Sequence, residues 1–452
     1  MGLAAAALVL APGVASAQSA TANLNVPPQA GHGSVSDINA RRGALLTQMR
    51  SQPDNLELAF EYAALSSQVG DLEGAISTLE RMLIFAPDLA RLKLELGALY
   101  FRLGSYETAR GYFDGVLQLP NIPPDMKSQA NLYLGIINEK TETSSLHGSV
   151  ALGVRYQTNA NDGVRGDFVL PDPFLELDQS AFAKADTNGF VAGQFHYRYI
   201  LPSQGDAFDV NLLTYGSLYS DLHQNNTLLG ELTFGPDFNL GRFGMYNSDL
   251  SIYGILGGVA LDGDTYQSSI GAGAKLGKIF DAMNRGELRF EYRYLDYEDT
   301  DFRPTASDRT GNRYDVSGYF QHAFNDRFSV FGFVDAARHV AVVDFQTFWE
   351  VSGSIGLNYA FDSPIAGLPG RWTATISGGV LRRDFDEPDP DFVVSSGRKE
   401  RDTEAFVYGG LTVPLANKWA LQTGVSYRNV DSNYDIYSFD SVGVSFAVAK
   451  RF

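Results

Sequence analysis

Two different periodicities divide the chain into two parts. Between about residues 37 and 140 apolar positions recur at the spacing of amphipathic helices, whereas from residue 146 onward they alternate with polar residues. A period of two places successive side chains on opposite faces of an extended strand. The polar run at residues 141–145 lies between the two patterns. The sequence therefore predicts an α+β fold with two domains, a helical one at residues 37–140 and a β domain at residues 146–452.

About fourteen segments carry the alternating pattern. They span residues 146–156, 189–201, 207–219, 227–239, 247–261, 265–279, 285–297, 312–324, 327–339, 346–361, 371–384, 402–414, 417–430 and 438–452. An average soluble strand has roughly five or six residues, whereas a strand that crosses a bilayer at a tilt needs about nine to eleven. An even number of such long strands allows an antiparallel barrel to close without exposed edges. We therefore expect a transmembrane β-barrel.

The connections between these segments alternate in length. The longest ones, such as residues 157–188 and 385–401, fall in odd positions along the chain, and short ones such as residues 202–206 fall in even positions. Outer-membrane barrels place long loops outside the cell and short turns in the periplasm. Residues 362–370 form a longish even connection and residues 262–263 a very short odd one. The asymmetry predicts an outer-membrane barrel with a periplasmic helical domain; a soluble β-sandwich or β-propeller explains the strands but not this asymmetry.

The helical part repeats with a period of 34 residues. Gly70 matches Gly104, and Ala75 matches Ala109. Small residues at such positions allow helices to cross closely, and the spacing is that of tetratricopeptide repeats. Because the ends of a repeat stack need covering, flanking helices are expected to act as caps. The predicted elements are a first cap around residues 40–49, repeats at residues 56–87 and 89–121, and a second cap at residues 126–140.

Tetratricopeptide stacks present a concave face that binds peptides or partner proteins. In this chain we expect that face to carry Phe60, Ala64, Gln68, Leu94, Phe101 and Arg102. An alternative interpretation is that the large apolar residues Phe60, Leu94 and Phe101 belong to the core.

The beginning of the sequence is typical of an exported protein. Residues 1–17 form a short apolar run that ends in Ala15, Ser16 and Ala17, the small-residue pattern that signal peptidase accepts. No basic residue precedes the run, which is compatible with a translation start upstream of Met1. A membrane anchor is the alternative, but the run is shorter than the roughly 20 residues that a helix needs to cross a bilayer. Residues 18–36 lack periodicity and are interpreted as a flexible lead-in.

Composition narrows the range of functions. The chain has 452 residues, with 35 Lys and Arg against 53 Asp and Glu, which gives a formal net charge of −18. Nucleic-acid affinity rests mainly on basic side chains that neutralise phosphates, so a nucleic-acid partner is not expected. The chain contains no cysteine. Thiolate metal ligands, cysteine nucleophiles and disulfides are therefore excluded.

No motif for catalysis or metal binding is evident. The six histidines are scattered without metal-ligand spacing, and neither a GxSxG elbow nor a P-loop occurs. We expect no metal, no cofactor and no enzymatic activity; the alternative is an outer-membrane esterase or protease with a site assembled from distant strands. Two acidic clusters near predicted external loops are alternative Ca²⁺ sites, although solvated loops explain them more simply. They comprise Asp296, Glu298, Asp299 and Asp301, and Asp384, Asp386, Glu387, Asp389 and Asp391.

Charged residues on the predicted strands indicate a wet lumen. Charges facing lipid destabilise a barrel, whereas an aqueous interior accepts them. The candidate lumen residues are Gln194, His196, Arg198, Glu287, Arg289, Glu291 and Arg293. The last strand ends in an aromatic residue, with Phe446, Val448 and Phe452 as the expected signal for the barrel-assembly machinery; Lys450 interrupts that pattern. Together these features favour transport through a channel over catalysis, with outer-membrane lipids as the surroundings.

The chain resembles the surface lipoprotein assembly modifier (Slam) family, the outer-membrane translocons of type XI secretion. The resemblance lies in the order of signal peptide, tetratricopeptide-like domain and barrel, and in the first strand, where Gly148, Gly153, Tyr156, Asn159 and Asn161 form a similar run. It implies passage of lipoproteins or soluble effectors to the cell surface, with the repeat domain engaging a protein client or a periplasmic chaperone. Exopolysaccharide export porins also combine such repeats with a barrel, and a passive porin with a periplasmic docking module is a third interpretation.

Overall fold

A computed structural model describes most of the chain. The described residues are 35–120, 122–141, 143–164, 179–203, 205–365, 367–368, 370–390 and 397–452. The predicted signal peptide and nearly all of the predicted lead-in lie outside them.

Helices make up the first part of the described chain. They are α1 (Val35–Ser51), α2 (Leu56–Gln68), α3 (Leu72–Leu83), α4 (Ala90–Arg102), α5 (Tyr106–Leu117) and α6 (Pro124–Thr141). Here α1 and α6 occupy the positions of the predicted caps, and α2–α3 and α4–α5 are the two repeats. Within the described residues, no helix combines the length and the apolar character that a membrane-crossing helix requires.

The 34-residue period has a local cause at the turn inside each repeat. Gly70 has a φ of +82° and Gly104 a φ of +81°. This left-handed conformation ends a helix and suits glycine, which has no Cβ to clash. In the first repeat Asp71 then caps α3 by accepting a hydrogen bond from the backbone N–H of Gly74 at 2.9 Å.

Close helix packing explains the small residues of the repeat. Ala75 and Ala109 are fully buried. Gly97 leaves room for the ring of Phe113, because a Cβ at Gly97 would lie 2.7 Å from that ring. Phe113 also stacks on Tyr133 of α6, with 4.7 Å between the ring centroids. The capping helix α6 is therefore packed into the core of the second repeat.

The remainder of the described chain is a closed antiparallel barrel of fourteen strands, in which each strand pairs with the next and β1 pairs with β14. The strands are β1 (Ser144–Gln157), β2 (Asp186–Ile200), β3 (Ala207–Tyr219), β4 (Thr227–Asn239), β5 (Ser248–Leu261), β6 (Asp264–Ile279), β7 (Asn284–Tyr297), β8 (Gly311–Ala323), β9 (Phe328–Ala341), β10 (Phe348–Asp362), β11 (Arg371–Phe385), β12 (Arg401–Pro414), β13 (Trp419–Ser432) and β14 (Phe439–Arg451). The predicted fold class is thus confirmed.

Strand boundaries agree closely with the alternating pattern. The bounds of β3 and β4 are those predicted from the sequence. The largest shift is at β2, which begins at Asp186 rather than at residue 189 because Asp186 still pairs with Gln157 of β1.

Alternate side chains face opposite sides of the barrel wall. On β7, the apolar residues Leu288, Phe290 and Tyr292 are exposed on the outer face, and Glu287 and Arg289 therefore point into the lumen. Large apolar residues are exposed at alternate positions on the other strands as well. An apolar exterior around a polar interior is the arrangement that a bilayer requires of a barrel.

The two ends of the barrel differ. We call the end at which β1 begins the near end and the opposite end the far end. Residues 158–185, 298–310 and 386–400 connect strands at the far end, as expected from their length. The very short far-end connection, Asp262 and Gly263, is a tight turn in which both residues have positive φ, 53° and 95°. Such Asp-Gly pairs favour two-residue hairpin turns, which explains this exception.

The helical domain joins the near end directly. Helix α6 ends at Thr141 and β1 begins at Ser144. The near rim is held by Asp206, which accepts hydrogen bonds from the backbone N–H of Asn239 at 2.9 Å and from Arg242 at 2.8 Å. Burial raises the pKa of Asp206, but these hydrogen bonds outweigh it and leave the pKa below its ordinary value. A Cβ at Gly104, in the second repeat, would lie 3.9 Å from the Asn239 side chain, so the repeats approach this rim.

Candidate functional site: the charged lumen

All seven predicted lumen residues lie on the inner face of the barrel. Gln194, His196 and Arg198 alternate with the outward-facing residues of β2, and the other four alternate with those of β7. Four ion-pair networks line the lumen. Two of them contain every predicted residue except Gln194, and the other two consist of residues that were not predicted.

The near network is centred on Arg198. Its guanidinium lies 2.9 Å from the carboxylate of Asp209 and 2.7 Å from that of Asp237. Asp209 also lies 3.1 Å from Nε2 of His196, and Ser251 donates a hydrogen bond to Asp237 at 3.0 Å. The network therefore links β2, β3, β4 and β5 at the near end.

The middle network joins β7 to β4. Arg293 pairs with Glu291 at 2.8 Å and reaches Glu231 on β4. Arg289 pairs with Glu287 at 2.7 Å and lies 4.0 Å from Glu291. Two guanidinium groups are thus held among three carboxylates. The hydroxyl of Tyr253 donates a further hydrogen bond to Glu291 at 2.7 Å.

The far network is the most deeply buried of the four. Glu350 is 5% exposed and receives the guanidinium of Arg313 at 2.9 Å and that of Arg383. Arg313 also pairs with Asp315 at 2.9 Å, and Arg383 lies 4.0 Å from Asp402. The five side chains come from β8, β10, β11 and β12 and link these strands along the far part of the barrel wall.

The loop network ties the first far-end loop to the barrel wall. Arg428 on β13 binds Glu404 on β12 at 2.8 Å. The same guanidinium contacts Asp162 of the loop at 3.1 Å. The loop segment before the undescribed residues 165–178 is therefore fastened to the opposite side of the β1–β14 seam.

The Asn-rich run after β1 builds the anchored part of this loop. Asn159 is almost fully buried, accepts a hydrogen bond from the N–H of Gly163 at 2.9 Å and donates one to its carbonyl at 2.8 Å. Asn161 bridges to Phe182 and Lys184, at 2.8 Å in each case. The two asparagines that carry the family resemblance thus shape a compact turn at the far mouth.

A carboxyl pair closes the far network. Glu400, in the connection before β12, and Asp402 are both buried, and each has one oxygen without a hydrogen-bond partner among the described residues. Burial, together with the neighbouring Asp402 carboxylate, raises the pKa of Glu400. We therefore expect Glu400 to carry a proton near neutral pH and to share it with Asp402.

The remaining wall of the lumen is different in character. Along the near two thirds of β11 to β14 and β1, the inward positions carry mostly small, hydroxyl or amide side chains. Examples are Thr373, Thr412, Gln422, Ser149 and Ala447. Over the near two thirds of its length the lumen is therefore two-sided, with a charged wall on β2–β10 and a largely uncharged wall opposite.

In the helical domain the structure separates the six predicted groove residues into two groups. Leu94 is buried beside Phe113 and Val116, and Phe101 packs against Tyr133 with 5.4 Å between ring centroids, so both contribute to the core. Phe60 is partly buried under the guanidinium of Arg91, which lies 4.4 Å from the ring centroid. The alternative interpretation of these three apolar residues as core thus describes their packing.

The other three predicted groove residues stay accessible on α2 and α4. Ala64 is exposed and Gln68 is partly exposed. Arg102 is exposed and donates a hydrogen bond to the carbonyl of Ser67 at 3.3 Å. Desolvation by surrounding helices raises the pKa of Glu95 on the same helix as Arg102, and the charge of Arg91 partly offsets this rise. This face therefore offers both charges and a small apolar surface.

Two of the predicted assembly residues lie on the outer face of β14, and the third, Phe452, follows directly after it. Phe446 and Val448 are exposed toward lipid, and the ring of Phe452 packs against Phe195 at 5.9 Å between centroids. This ring also covers Gly148, where a Cβ would come within 2.6 Å of it. Lys450 also faces outward, with its ammonium 5.2 Å from the ring centre of Trp419. A basic residue suits this rim position, because it reaches out of the hydrocarbon layer.

Because Phe452 bridges the β1–β14 seam, we expect Phe452→Ala to lower several-fold the fraction of protein that reaches the folded, heat-modifiable form in the outer membrane. The ring lies against both Gly148 and Phe195 beside the pairing of β1 with β14. The measurement is the ratio of folded to unfolded bands on unheated gels of membrane fractions. Phe324→Ala removes a similarly exposed ring from a near-end turn away from the seam and serves as the control. Equal folded fractions for both variants would contradict the prediction.

The acidic clusters at the far end are engaged in ion pairs and caps. Asp384 pairs with Arg382 at 3.0 Å, Asp386 pairs with Arg338, and Asp299 accepts a hydrogen bond from the N–H of Ser307. Asp391 lies outside the described residues. In the part of the chain that the structure describes, no group of three or more His, Asp or Glu side chains is placed to hold a metal ion.

Several lumen residues escaped the sequence analysis. Five of them occupy strand positions that alternate with outward-facing residues and therefore face the lumen: Asp209, Asp237, Glu350, Glu404 and Arg428. The two-residue alternation along each strand is enough to identify them as inward-facing. Their pairing across strands depends on the register, which the sequence does not reveal.

Three comparisons relate the chain to known proteins. No family model matches it, and no curated protein matches it. Among solved structures, the outer membrane channel DcaP of Acinetobacter baumannii matches with 12% identity and a TM-score of 0.39, over 68% of this chain and 97% of that one. A bacterial polysaccharide outer membrane secretin matches with 9% identity and a TM-score of 0.33, over 68% and 98%. MamA matches the helical part with 17% identity and a TM-score of 0.21, over 23% of this chain and 61% of MamA.

The class of the protein follows from its architecture. A closed fourteen-strand antiparallel barrel with an apolar exterior and a charged lumen is a transmembrane β-barrel of the outer-membrane type. This one carries a tetratricopeptide-like helical domain ahead of its first strand.

Proposed function

We propose that the protein is an outer-membrane translocon that moves lipoproteins or soluble effectors to the cell surface. In this proposal the helical domain lies in the periplasm and engages the client or its chaperone. The observation that carries the proposal is the direct connection of α6 to β1, which places the repeat stack at the near mouth of the lumen. A client bound by the repeats is thereby held where passage begins.

The lengths of the loops support this orientation in the membrane. The long connections lie at the far end and the helical domain at the near end, and outer-membrane barrels expose their long loops to the outside. The polar lumen then supplies a path between the two compartments. The resemblance to the Slam family, carried by the first strand and the domain order, supports a protein as the cargo.

Export of a polysaccharide is the second candidate, and the uncharged wall favours it. Hydroxyl and amide side chains such as Thr373, Thr412 and Gln422 line a continuous part of the lumen, and such groups suit a neutral, hydroxyl-rich polymer. A passive porin with a docking module is the remaining alternative.

The decisive experiment removes the gene from its Gram-negative host and compares surface proteins by protease shaving and mass spectrometry. The translocon proposal predicts that one or a few proteins disappear from the surface and accumulate in the periplasm, and that the intact gene restores them. An unchanged surface proteome combined with loss of extracellular polysaccharide would replace the proposal by the second candidate. If neither the surface proteome nor the extracellular polysaccharide changes, the passive porin is the remaining interpretation.

A groove variant tests the part assigned to the repeats. We expect Gln68→Ala combined with Arg102→Ala to reduce surface display of the client several-fold without loss of the barrel, because both side chains are accessible to solvent and belong to the predicted binding face. The measurement is surface labelling of the client in the complemented deletion strain. Arg50→Ala, an exposed change in α1, is the control. Normal display by the double variant would contradict a role for this face.

A further inference from the structure

The ion-pair networks of the lumen share an unequal composition. In the near network Arg198 is held between Asp209 and Asp237. In the loop network Arg428 is held between Glu404 and Asp162. Each of these two networks therefore combines one guanidinium with two carboxylates.

The other two networks are larger but follow the same rule. The middle network places Arg289 and Arg293 among three glutamates, and the far network places Arg313 and Arg383 among Asp315, Glu350 and Asp402. Each network thus has one more carboxylate than it has guanidinium groups. In formal charge every network is negative by one.

Charges outside the networks do not cancel this excess. Inward-facing basic residues outside them are offset by carboxylates in similar number; they include Arg155, Lys275 and Arg285 on one side and Asp186, Asp249 and Asp335 on the other. Glu400 and Asp402 share one proton and together carry a single negative charge, so the far network keeps the same excess. The near and middle networks, which lie on the accessible part of the charged wall, keep their negative charge.

From this pattern we propose that the lumen selects for cationic groups, whether small cations or the lysine and arginine side chains of a passing segment. A channel lined by one sign of charge and walled by low-dielectric material concentrates ions of opposite sign. The arginines do not reverse this field, because each is already neutralised by carboxylates at ion-pair distance. The selectivity rests on the proposed role of the lumen as the passage and adds the chemical class that it favours.

The absence of native cysteine allows the potential to be measured in the lumen of the purified, full-length protein. Thr233 faces the lumen, lies two residues from Glu231 and four from Asp237, and is partly exposed. Thr412 belongs to the uncharged wall, faces the lumen and is also partly exposed. Thr233→Cys and Thr412→Cys are therefore matched probes of the two walls.

The experiment compares the rates at which a cationic and an anionic methanethiosulfonate reagent modify each thiol. We expect the ratio of cationic to anionic rate at Thr233→Cys to exceed that at Thr412→Cys by about tenfold at low salt, the lower end of electrostatic focusing effects. The difference is expected to shrink as ionic strength rises, because the Debye length falls to about 3 Å at 1 M salt. Glu231→Gln in the Thr233→Cys background is expected to lower the ratio. If that variant does not fold, Asp249→Asn, which belongs to no network, replaces it.

Equal ratios at the two positions, a faster anionic reagent at Thr233→Cys, or failure of both reagents to reach the lumen would each overturn the proposal. The result does not depend on knowing the client. A cation-selective lumen together with an unchanged surface proteome would refute the translocon and leave the selectivity standing, whereas the reverse outcome would retain the translocon and reject the selectivity.

Discussion

Replacing Glu350 with alanine is expected to lower the free energy of unfolding of the barrel by about 3–5 kcal/mol, the usual effect of removing one partner from a buried ion pair. The Glu350 carboxylate is the shared acceptor of Arg313 and Arg383, and its side chain is only 6% exposed. Its removal leaves Arg313 with Asp315 at 2.9 Å and Arg383 with only Asp402, at 4.0 Å. The free-energy cost of burying the two guanidinium groups is then no longer offset by ion pairs with Glu350, and the folded state is destabilised.

The measurement is urea-induced unfolding of the barrel in lipid vesicles, followed by tryptophan fluorescence. All three tryptophans, Trp349, Trp372 and Trp419, lie on barrel strands, so the signal reports the barrel alone. Glu387→Ala is the matched control: its carboxylate is exposed and 3.9 Å from Lys399, and exposed pairs contribute roughly 0–1 kcal/mol. Glu350→Gln, which keeps the size of the side chain, is expected to fall between the two. A loss in Glu350→Ala no larger than in Glu387→Ala would show that the far network does not stabilise the barrel.

The fold was largely predictable because the bilayer imposes a simple rule on every strand. Residues that alternate between lipid and water produce a period of two, and Leu288, Phe290 and Tyr292 display it against Glu287 and Arg289 as clearly in the sequence as in the structure. Helical repeats can be predicted from the sequence in the same way, because a glycine with positive φ recurs at a fixed spacing, at the turn inside each repeat.

The site was predictable only in part. The alternation of inward and outward positions along a strand indicates which side chains face the lumen, and it identified Arg198 and Arg293 correctly. It does not reveal that Arg293 reaches Glu231 on β4, because that contact depends on the closure and tilt of the barrel. The anchoring of Asp162 by Arg428 joins residues at opposite ends of the barrel sequence. Contacts of such sequence separation follow from the register of all fourteen strands and not from any local motif.

In the helical domain, packing that the sequence pattern does not reveal explains why two predicted groove residues belong to the core. Leu94 and Phe101 occupy helix positions from which repeat proteins often contact ligands, but α6 covers them here and makes them part of the core. With only two repeats, the capping helix lies against a large share of the stack. The accessible face is therefore smaller and more polar than the repeat pattern predicts.

The strongest effect on the helical domain is expected from Phe113→Ala. Phe113 is fully buried, stacks on Tyr133 and fills the space left by Gly97. Loss of such an aromatic side chain from a core costs about 3–5 kcal/mol, and native domains are stable by only about 5–15 kcal/mol. We expect the helical circular dichroism signal of the full-length protein to melt at a clearly lower temperature, while tryptophan fluorescence shows an unchanged barrel.

The control for Phe113→Ala is Phe85→Ala, which removes the same ring from an exposed position after α3 and is expected to change the stability by roughly 0.5 kcal/mol or less. The comparison also decides whether the two domains unfold independently. If Phe113→Ala shifts the helical and the tryptophan transitions together, the repeats and the barrel form one cooperative unit, and the near-end contact between Gly104 and Asn239 is stronger than a simple linker requires. If neither transition moves, the stacking of Phe113 on Tyr133 does not hold α6 to the second repeat.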